Sequence, residues 1–407
     1  LLNPHQATPN ANPQTAESQD FAHLMLKEIY EQPAALQTCL TKYLNLSWIN
    51  PPQPTTPVRQ NAPVEAPVPD LPIPLPDSLY TNLKQIHILA CGTSRHAGLV
   101  AQYWFEQMAR IPTRVRSASE FVSAPLPLSS DTLTLAITQS GETADTLAAV
   151  ERQKRNYALL KVSQPRLLGI TNQPDSSLAL QVDYTLPTFA GVEMGVAATK
   201  TFTTQLAVLA SLALDIAQRF QTISDQQAHQ IVTALRSLPD QIATILNQQE
   251  KPIQELAQKL ATAKNCIVLG QGVNRAIALE GALKLKETTY IHAEGYAAGE
   301  FLHGPIALLD PTIPVIAIAP NDHTDHSMLA TVRKVKSHNV PVIGITTAMD
   351  NPEAAQLFDD HITLPASHEL LTPFLTVVPL QLLAYHIAIQ RGLNVDRPRN
   401  ITKILNH

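Results

Sequence analysis

Residues Ile86–Trp104 read IHILACGTSRHAGLVAQYW, an apolar run, a glycine turn and a helical stretch in immediate succession. The run that ends at Cys91-Gly92 has the length and aliphatic content of a buried strand, and Ser94–Trp104 continues as a helix. The unit recurs downstream. Leu133–Ile137 (LTLAI) forms a second strand, passes through Thr138–Thr143 (TQSGET) and enters another helix, and Leu167–Ile170 (LLGI) forms a third strand. Strands that alternate with helices predict a parallel, doubly wound α/β sheet.

The pattern then repeats. At an offset of 180 residues Gly92 falls on Gly272, Arg95 on Arg275, Glu120-Phe121 on Glu300-Phe301 and Asp145 on Asp325, while Leu135–Ile137 overlies Val315–Ala317. At an offset of 175, Leu168–Thr171 matches Ile343–Thr346. Strands and turns recurring in one order predict two copies of one α/β domain. We divide the chain into a helical and proline-rich segment (1–80), two such domains (81–225 and 226–395) and a tail (396–407). The first 20 residues are polar and read as disordered. An amphipathic helix candidate follows over Phe21–Pro33, then a second short one. Residues 51–76 hold ten prolines and read as an extended connector. Between the domains, residues 200–264 read as helical with a break at Ser237–Pro239, and Leu380–Gln390 is a further helix.

Composition narrows the function classes. Charged residues make up 15% and the net charge is −5, which leaves no nucleic-acid footprint. The longest apolar run, Leu206–Leu214, is too short to cross a bilayer. Cys39, Cys91 and Cys266 lie far apart without metal-ligand spacing, so neither a metal nor a disulfide framework is expected, and a reducing cytoplasm is the simplest compartment. Gly270-Gln-Gly272 lacks the third glycine and the ribose-binding carboxylate of a dinucleotide fingerprint. A nicotinamide cofactor is not expected.

Two stretches could carry chemistry. TQSGET (138–143) joins a strand end to a helix start, where hydroxyls, a glycine and free helix amides can cradle a phosphate. An ordinary N-cap fits the same residues, but such hydroxyl density at a strand's carboxyl end favours phosphate. Thr93 and Ser94 end the first strand on the same rim. The second copy does not keep this loop. It offers instead Glu280–Pro305 (EGALKLKETTYIHAEGYAAGEFLHGP), where Glu280, Lys284 and Glu287 share a helical face. A carboxylate base beside an amine is what proton transfer on a sugar phosphate requires, although a solvated face of ion pairs has the same spacing. Lys403 stands in a terminal tail, either as a frayed lysine or as an amine on a lid that forms an imine with a ketose.

CGTS (91–94), QSGETADT (139–146), EMGVAATKTFTTQ (193–205), ALEGALKLKE (278–287), HGP (303–305) and PRN (398–400) together resemble the glucosamine-6-phosphate synthase family, the isomerizing glutamine–fructose-6-phosphate aminotransferases. The resemblance runs from about residue 23 to 403 and covers the family's two C-terminal sugar isomerase (SIS) domains. It implies that Thr93, Ser94, Thr138, Gln139, Ser140 and Thr143 hold fructose-6-phosphate. It also implies Glu287 as the base between C1 and C2, Lys403 as the Schiff-base lysine, His303 as the ring-opening group contributed by a partner subunit, and Lys284 as the stabiliser of the developing oxygen. The product would be glucosamine-6-phosphate, made by a homodimer with neither metal nor organic cofactor. Thr138 and Ala198 stand where the family usually has Ser, and Thr402 where it usually has Ala. The chain begins with Leu rather than the glutaminase's catalytic cysteine, so a truncated synthase and an isomerase-only protein are both expected readings. A glucosamine-6-phosphate deaminase and a non-catalytic sugar-phosphate sensor are the alternatives in function.

Overall fold

The computed structural model describes residues 21–44, 73–162, 165–320, 325–347 and 356–403. The segment expected to be disordered, most of the proline-rich connector and the last four residues lie outside these. The first sheet is built from β1 (Gln85–Ala90), β2 (Thr113–Ser117), β3 (Thr132–Ile137), β4 (Leu167–Thr171) and β5 (Tyr184–Pro187), all parallel, in the order β2-β1-β3-β4-β5. The second holds β6 (Asn265–Gly270), β7 (His292–Ala297), β8 (Val315–Ala319), β9 (Val342–Thr347) and β10 (Asp360–Leu364), also parallel, in the order β7-β6-β8-β9-β10. The two orders are the same topology twice. The repeat read from the sequence is therefore a structural repeat, down to the short helices α4 (Ala118–Phe121) and α10 (Ala298–Phe301) that carry the matched Glu-Phe pairs.

Central strands are buried on both faces, as β3 and β8 show along their whole length, which is why they read as unbroken apolar runs. The remaining helices before the inter-domain region are α1 (Leu24–Tyr30), α2 (Gln32–Tyr43), α3 (Gly92–Gln107), α5 (Ala144–Leu159) and α6 (Ser177–Gln181). Two helices follow one another here as expected, but the first ends at Tyr30 rather than Pro33, because Pro33 stands in the first turn of α2, where its missing N–H costs nothing.

The expected break at Ser237–Pro239 does not occur. Helix α7 (Lys200–Arg219) ends at Phe220, Gln221 turns with φ +55°, and Ser224 starts α8 (Asp225–Leu260) with a full capping box. Helix α8 runs through both Pro239 and Pro252. Proline removes one intrahelical bond, but α8 buries Leu235, Leu238, Ile242, Ile245 and Leu246, and that packing outweighs the lost bond. Helix α12 (Thr372–Gln390) starts eight residues earlier than its apolar stretch suggested and is buried almost throughout. Among the described residues only Glu369–Gln390 is long and apolar enough to cross a membrane, and 94% of its apolar window lies inside the protein. Helices α9 (Asn274–Thr289) and α11 (Asp325–Lys336) complete the second unit.

Candidate active site

Strands β1 and β3 are neighbours whose connections leave in opposite directions, so their carboxyl ends form a switch-point crevice of the kind that binds ligands in open α/β sheets. Thr93 and Ser94 start α3 on one side of it, and the 138–143 loop precedes α5 on the other. The loop's geometry separates the two readings of its hydroxyls. Thr143 stands at the N-cap of α5 but makes no capping bond; its hydroxyl lies 2.6 Å from that of Thr138. The first-turn amides of α5 are left without their usual side-chain cap and face the loop. Ser140 Oγ accepts from the Glu142 N–H at 3.1 Å, and the Gln139 carbonyl accepts from Asn172. Gly141 has φ +71°, and a Cβ there would lie 1.9 Å from Ser176 Oγ, so only glycine fits this turn. Ser94 Oγ is held by Gln205 of α7 at 3.0 Å.

Helix α9 of the second unit packs against α3 and brings its charged face to this crevice. Lys284 is buried, with Nζ 2.6 Å from Glu287 Oε2, 3.4 Å from Glu280 Oε1 and 3.2 Å from Thr93 Oγ1, to which it donates. Thr93 in turn donates to Glu280, and His96 Nδ1 lies 2.7 Å from the other Glu280 oxygen. Glu280 is completely buried. Burial alone would push its carboxyl up, but Lys284 and the His96 and Thr93 hydrogen bonds hold it below the usual range. Burial likewise works against the Lys284 ammonium, and Glu287 with Glu280 outweighs it, keeping that ammonium charged well above the ordinary lysine range. Glu287 differs from Glu280. Its side chain is 23% exposed, and Oε2 approaches Lys284 as an ion pair without hydrogen-bond alignment. It is a carboxylate with an open lone pair beside a fixed cation.

The tail is not frayed over its described part. Asp396 accepts the N–H groups of Leu24 and Met25, the Arg399 N–H donates to the Tyr290 hydroxyl while its guanidinium lies 4.0 Å from that ring's centre, and Lys403 reaches inward. Lys403 Nζ donates to Glu193 Oε2 and to the Gly195 carbonyl, each at 2.7 Å. Glu193 is fully buried and also accepts from the Thr199 and Thr201 N–H groups and the Thr201 hydroxyl. Against its burial, Lys403 and these bonds keep it ionised. The Lys284 ammonium also feels Glu193, so the tail lysine and the α9 cluster share one electrostatic neighbourhood.

His303 is placed elsewhere. Helix α9 runs back along its sheet, so Glu287 lies near the start of β7, whereas His303 follows the far end of β7 and α10. Six strand residues separate those levels by about 20 Å. His303 is exposed on the Phe301–Gly304 turn, and one chain does not bring it to Glu287. Sequence reading named Glu280 but gave it no site role, and it missed Glu193 and His96. Glu193 opens the EMGVAATKTFTTQ motif, which was the available signal. Among the described residues no three metal-ligating side chains converge.

Comparison with known proteins gives the family of the fold. The SIS domain model matches residues 79–215 and again 259–391. The isomerizing glutamine–fructose-6-phosphate aminotransferase of Thermosynechococcus vestitus is 50% identical over 97% of this chain and 61% of its own length. The chain thus spans about three fifths of the curated relatives it matches. The solved C-terminal domain of glucosamine-fructose-6-phosphate aminotransferase from Francisella tularensis superposes with a TM-score of 0.79 at 35% identity, covering 93% of this chain and 99% of that one. A glucosamine-6-phosphate deaminase structure from Thermotoga maritima, at 23% identity and a TM-score of 0.68 over 93% of this chain and 98% of its own, shares the fold.

Proposed function

Since the chain belongs to the SIS-domain family, and within it to the C-terminal part of the isomerizing glutamine–fructose-6-phosphate aminotransferases, we propose that it converts fructose-6-phosphate and ammonia to glucosamine-6-phosphate. The observation that carries this reading is Lys284, whose buried ammonium touches both Glu287 and Thr93 and so joins a base of the second unit to the anion-binding rim of the first.

The steps follow from the groups present. The phosphate seats in the 138–143 loop, where the uncapped start of α5 offers amides to a dianion. With the phosphate there, the ketose extends toward α9. The Lys403 amine attacks C2 and water leaves, giving an imine; ammonia then displaces the lysine, and the amine is restored. Glu287 takes the proton from C1 and returns it at C2, and Lys284 stabilises the oxygen on which charge develops. His303 opens the sugar ring from a partner subunit, because its own chain holds it about one strand length away. That separation supports a homodimer in which each chain lends His303 to the other. Three free cysteines, two of them buried, accord with a reducing cytoplasm.

A sensor would need the loop but not a buried lysine flanked by carboxylates. A deaminase would run the same steps in reverse and would consume glucosamine-6-phosphate without ammonium. The test is to incubate the chain with fructose-6-phosphate, with ammonium, with glutamine or with neither, and to separate the products. Glucosamine-6-phosphate formed with ammonium and lost in Glu287→Gln supports the proposal. Absence of any sugar-phosphate turnover, with fructose-6-phosphate binding retained, overturns it.

A further inference from the structure

We propose that Glu28, on helix α1 outside both matched domains, is a positioning residue for the Lys403 amine. The inference rests on the reading of Lys403 given above. Glu28 is buried, and its Oε1 accepts the N–H groups of Met194 at 2.5 Å and Gly195 at 3.0 Å. The same short loop presents the Glu193 carboxylate and the Gly195 carbonyl to Lys403 Nζ. Gly195 is thus gripped from its N–H side by Glu28 while its carbonyl grips the lysine. The approach is tight: a Cβ on Gly195 would lie 2.6 Å from Glu28 Oε2.

Helix α1 also holds the other end of the tail, through Asp396 on the Leu24 and Met25 N–H groups. It is docked on α12 by the bond between His23 and the Tyr385 hydroxyl at 3.0 Å. One short helix therefore fixes Asp396 directly and Lys403 through the 193–195 loop. That is a reason for α1 to be charged at a buried position.

Two buried carboxyls, Glu28 and Glu193, lie near the single Lys403 ammonium. Glu28 Oε2 has no hydrogen-bond partner among the described residues. Burial first, and Glu193 second, push the Glu28 carboxyl up to about 7. Lys403 acts on it in the opposite sense, as do the Gly195 and Met194 N–H bonds, while Lys27 beside it on α1 pairs with Glu31, the residue after the helix, which also holds Lys200. The anion above neutral pH accepts the loop's N–H groups more strongly than the neutral acid does.

The test reads the lysine itself in the full chain. A brief pulse of acetic anhydride is followed by quantification of acetylated Lys403 against exposed Lys264. Glu28→Ala is expected to label Lys403 about tenfold faster than the unchanged chain, the effect of losing a charge-assisted anchor. Glu28→Gln keeps the Oε1 acceptor, so it labels within about twofold of the unchanged chain below neutral pH and separates from it above. In the product assay Glu28→Ala lowers kcat with KM for fructose-6-phosphate unchanged, because the 138–143 loop is untouched. Equal Lys403 labelling in the unchanged chain and Glu28→Ala, with circular dichroism intact, overturns the proposal. If Glu28→Ala does not fold, a Glu28→Gln profile that tracks the unchanged chain at every pH does the same. Altered labelling together with an active Lys403→Ala variant would refute the imine and leave the positioning of the amine standing.

Discussion

Replacing Lys284 with Met removes the cation at the centre of the inter-domain cluster while keeping a side chain of similar volume. The ammonium lies 3.4 Å from Glu280 and 2.6 Å from Glu287. Glu287 is part-exposed, so water can take over its solvation. Glu280 has no such recourse. It is wholly buried, and only Thr93 and His96 remain as partners. Leaving one member of a buried pair uncompensated costs about 3–5 kcal/mol. We expect Lys284→Met to lose that much in urea denaturation, followed by circular dichroism and by the fluorescence of Trp104, which is buried between α3 and α12 and stacked on Phe374. The pH dependence is the sharper reading. In the unchanged chain Glu280 is held below its ordinary value, so its contribution is constant above the unfolded value of ~4.3 and is lost only as pH falls further. In Lys284→Met the same carboxyl is raised, and protonation relieves it. The deficit should therefore be largest at alkaline pH and shrink toward pH ~5. Adding Glu280→Gln should restore about 2–3 kcal/mol without restoring turnover. A deficit below about 1 kcal/mol, or one that does not change with pH, would refute the view that Lys284 neutralises a buried carboxylate.

Further outcomes follow from the same geometry. Gly141→Ala forces a Cβ onto Ser176 at a left-handed turn, and should raise KM for fructose-6-phosphate at least tenfold at the cost of about 1–3 kcal/mol in stability, read by steady-state kinetics and thermal unfolding. Thr143→Val removes the hydroxyl paired with Thr138; KM should rise by about 1–2 kcal/mol in equivalent free energy, with α5 still helical by circular dichroism. Glu28→Gln should raise the thermal midpoint at pH ~8, because a carboxyl raised to about 7 weakens the fold as pH climbs from ~4.3 through that value. That gain should vanish in acid. A mixture of His303→Ala and Glu287→Gln chains, each inactive alone, should regain up to about a quarter of full activity if sites form between subunits.

The parts of the fold that were legible in the sequence were those whose residues meet only one environment. Strands β1, β3, β4, β8 and β9 are buried inside their sheets, and their apolar runs with repeated turn residues disclosed the tandem copy. Edge strands were not legible. TRVRS in β2 and HAEGYA in β7 are half-exposed and carry charge, so neither shows a continuous apolar run. Pro239 misled because a local propensity penalty was outweighed by the burial of α8, which no local signal reports. In the site, the spacing of Glu280, Lys284 and Glu287 was readable, but that Glu280 is buried and Glu287 half-open depends on α3 lying across α9. Glu193 and Glu28 were not readable as partners of Lys403, since the three are separated by more than a hundred residues and meet only through the tail.

The most direct test is to add fructose-6-phosphate to the chain, reduce with borohydride and map the modified peptide. We expect one stable sugar-phosphate adduct on Lys403, retained in Glu287→Gln, whose carboxylate acts only on the proton between C1 and C2, and absent in Lys403→Ala. An adduct spread over exposed lysines, or full turnover by Lys403→Ala, would contradict the assignment of the tail lysine and with it the site described above.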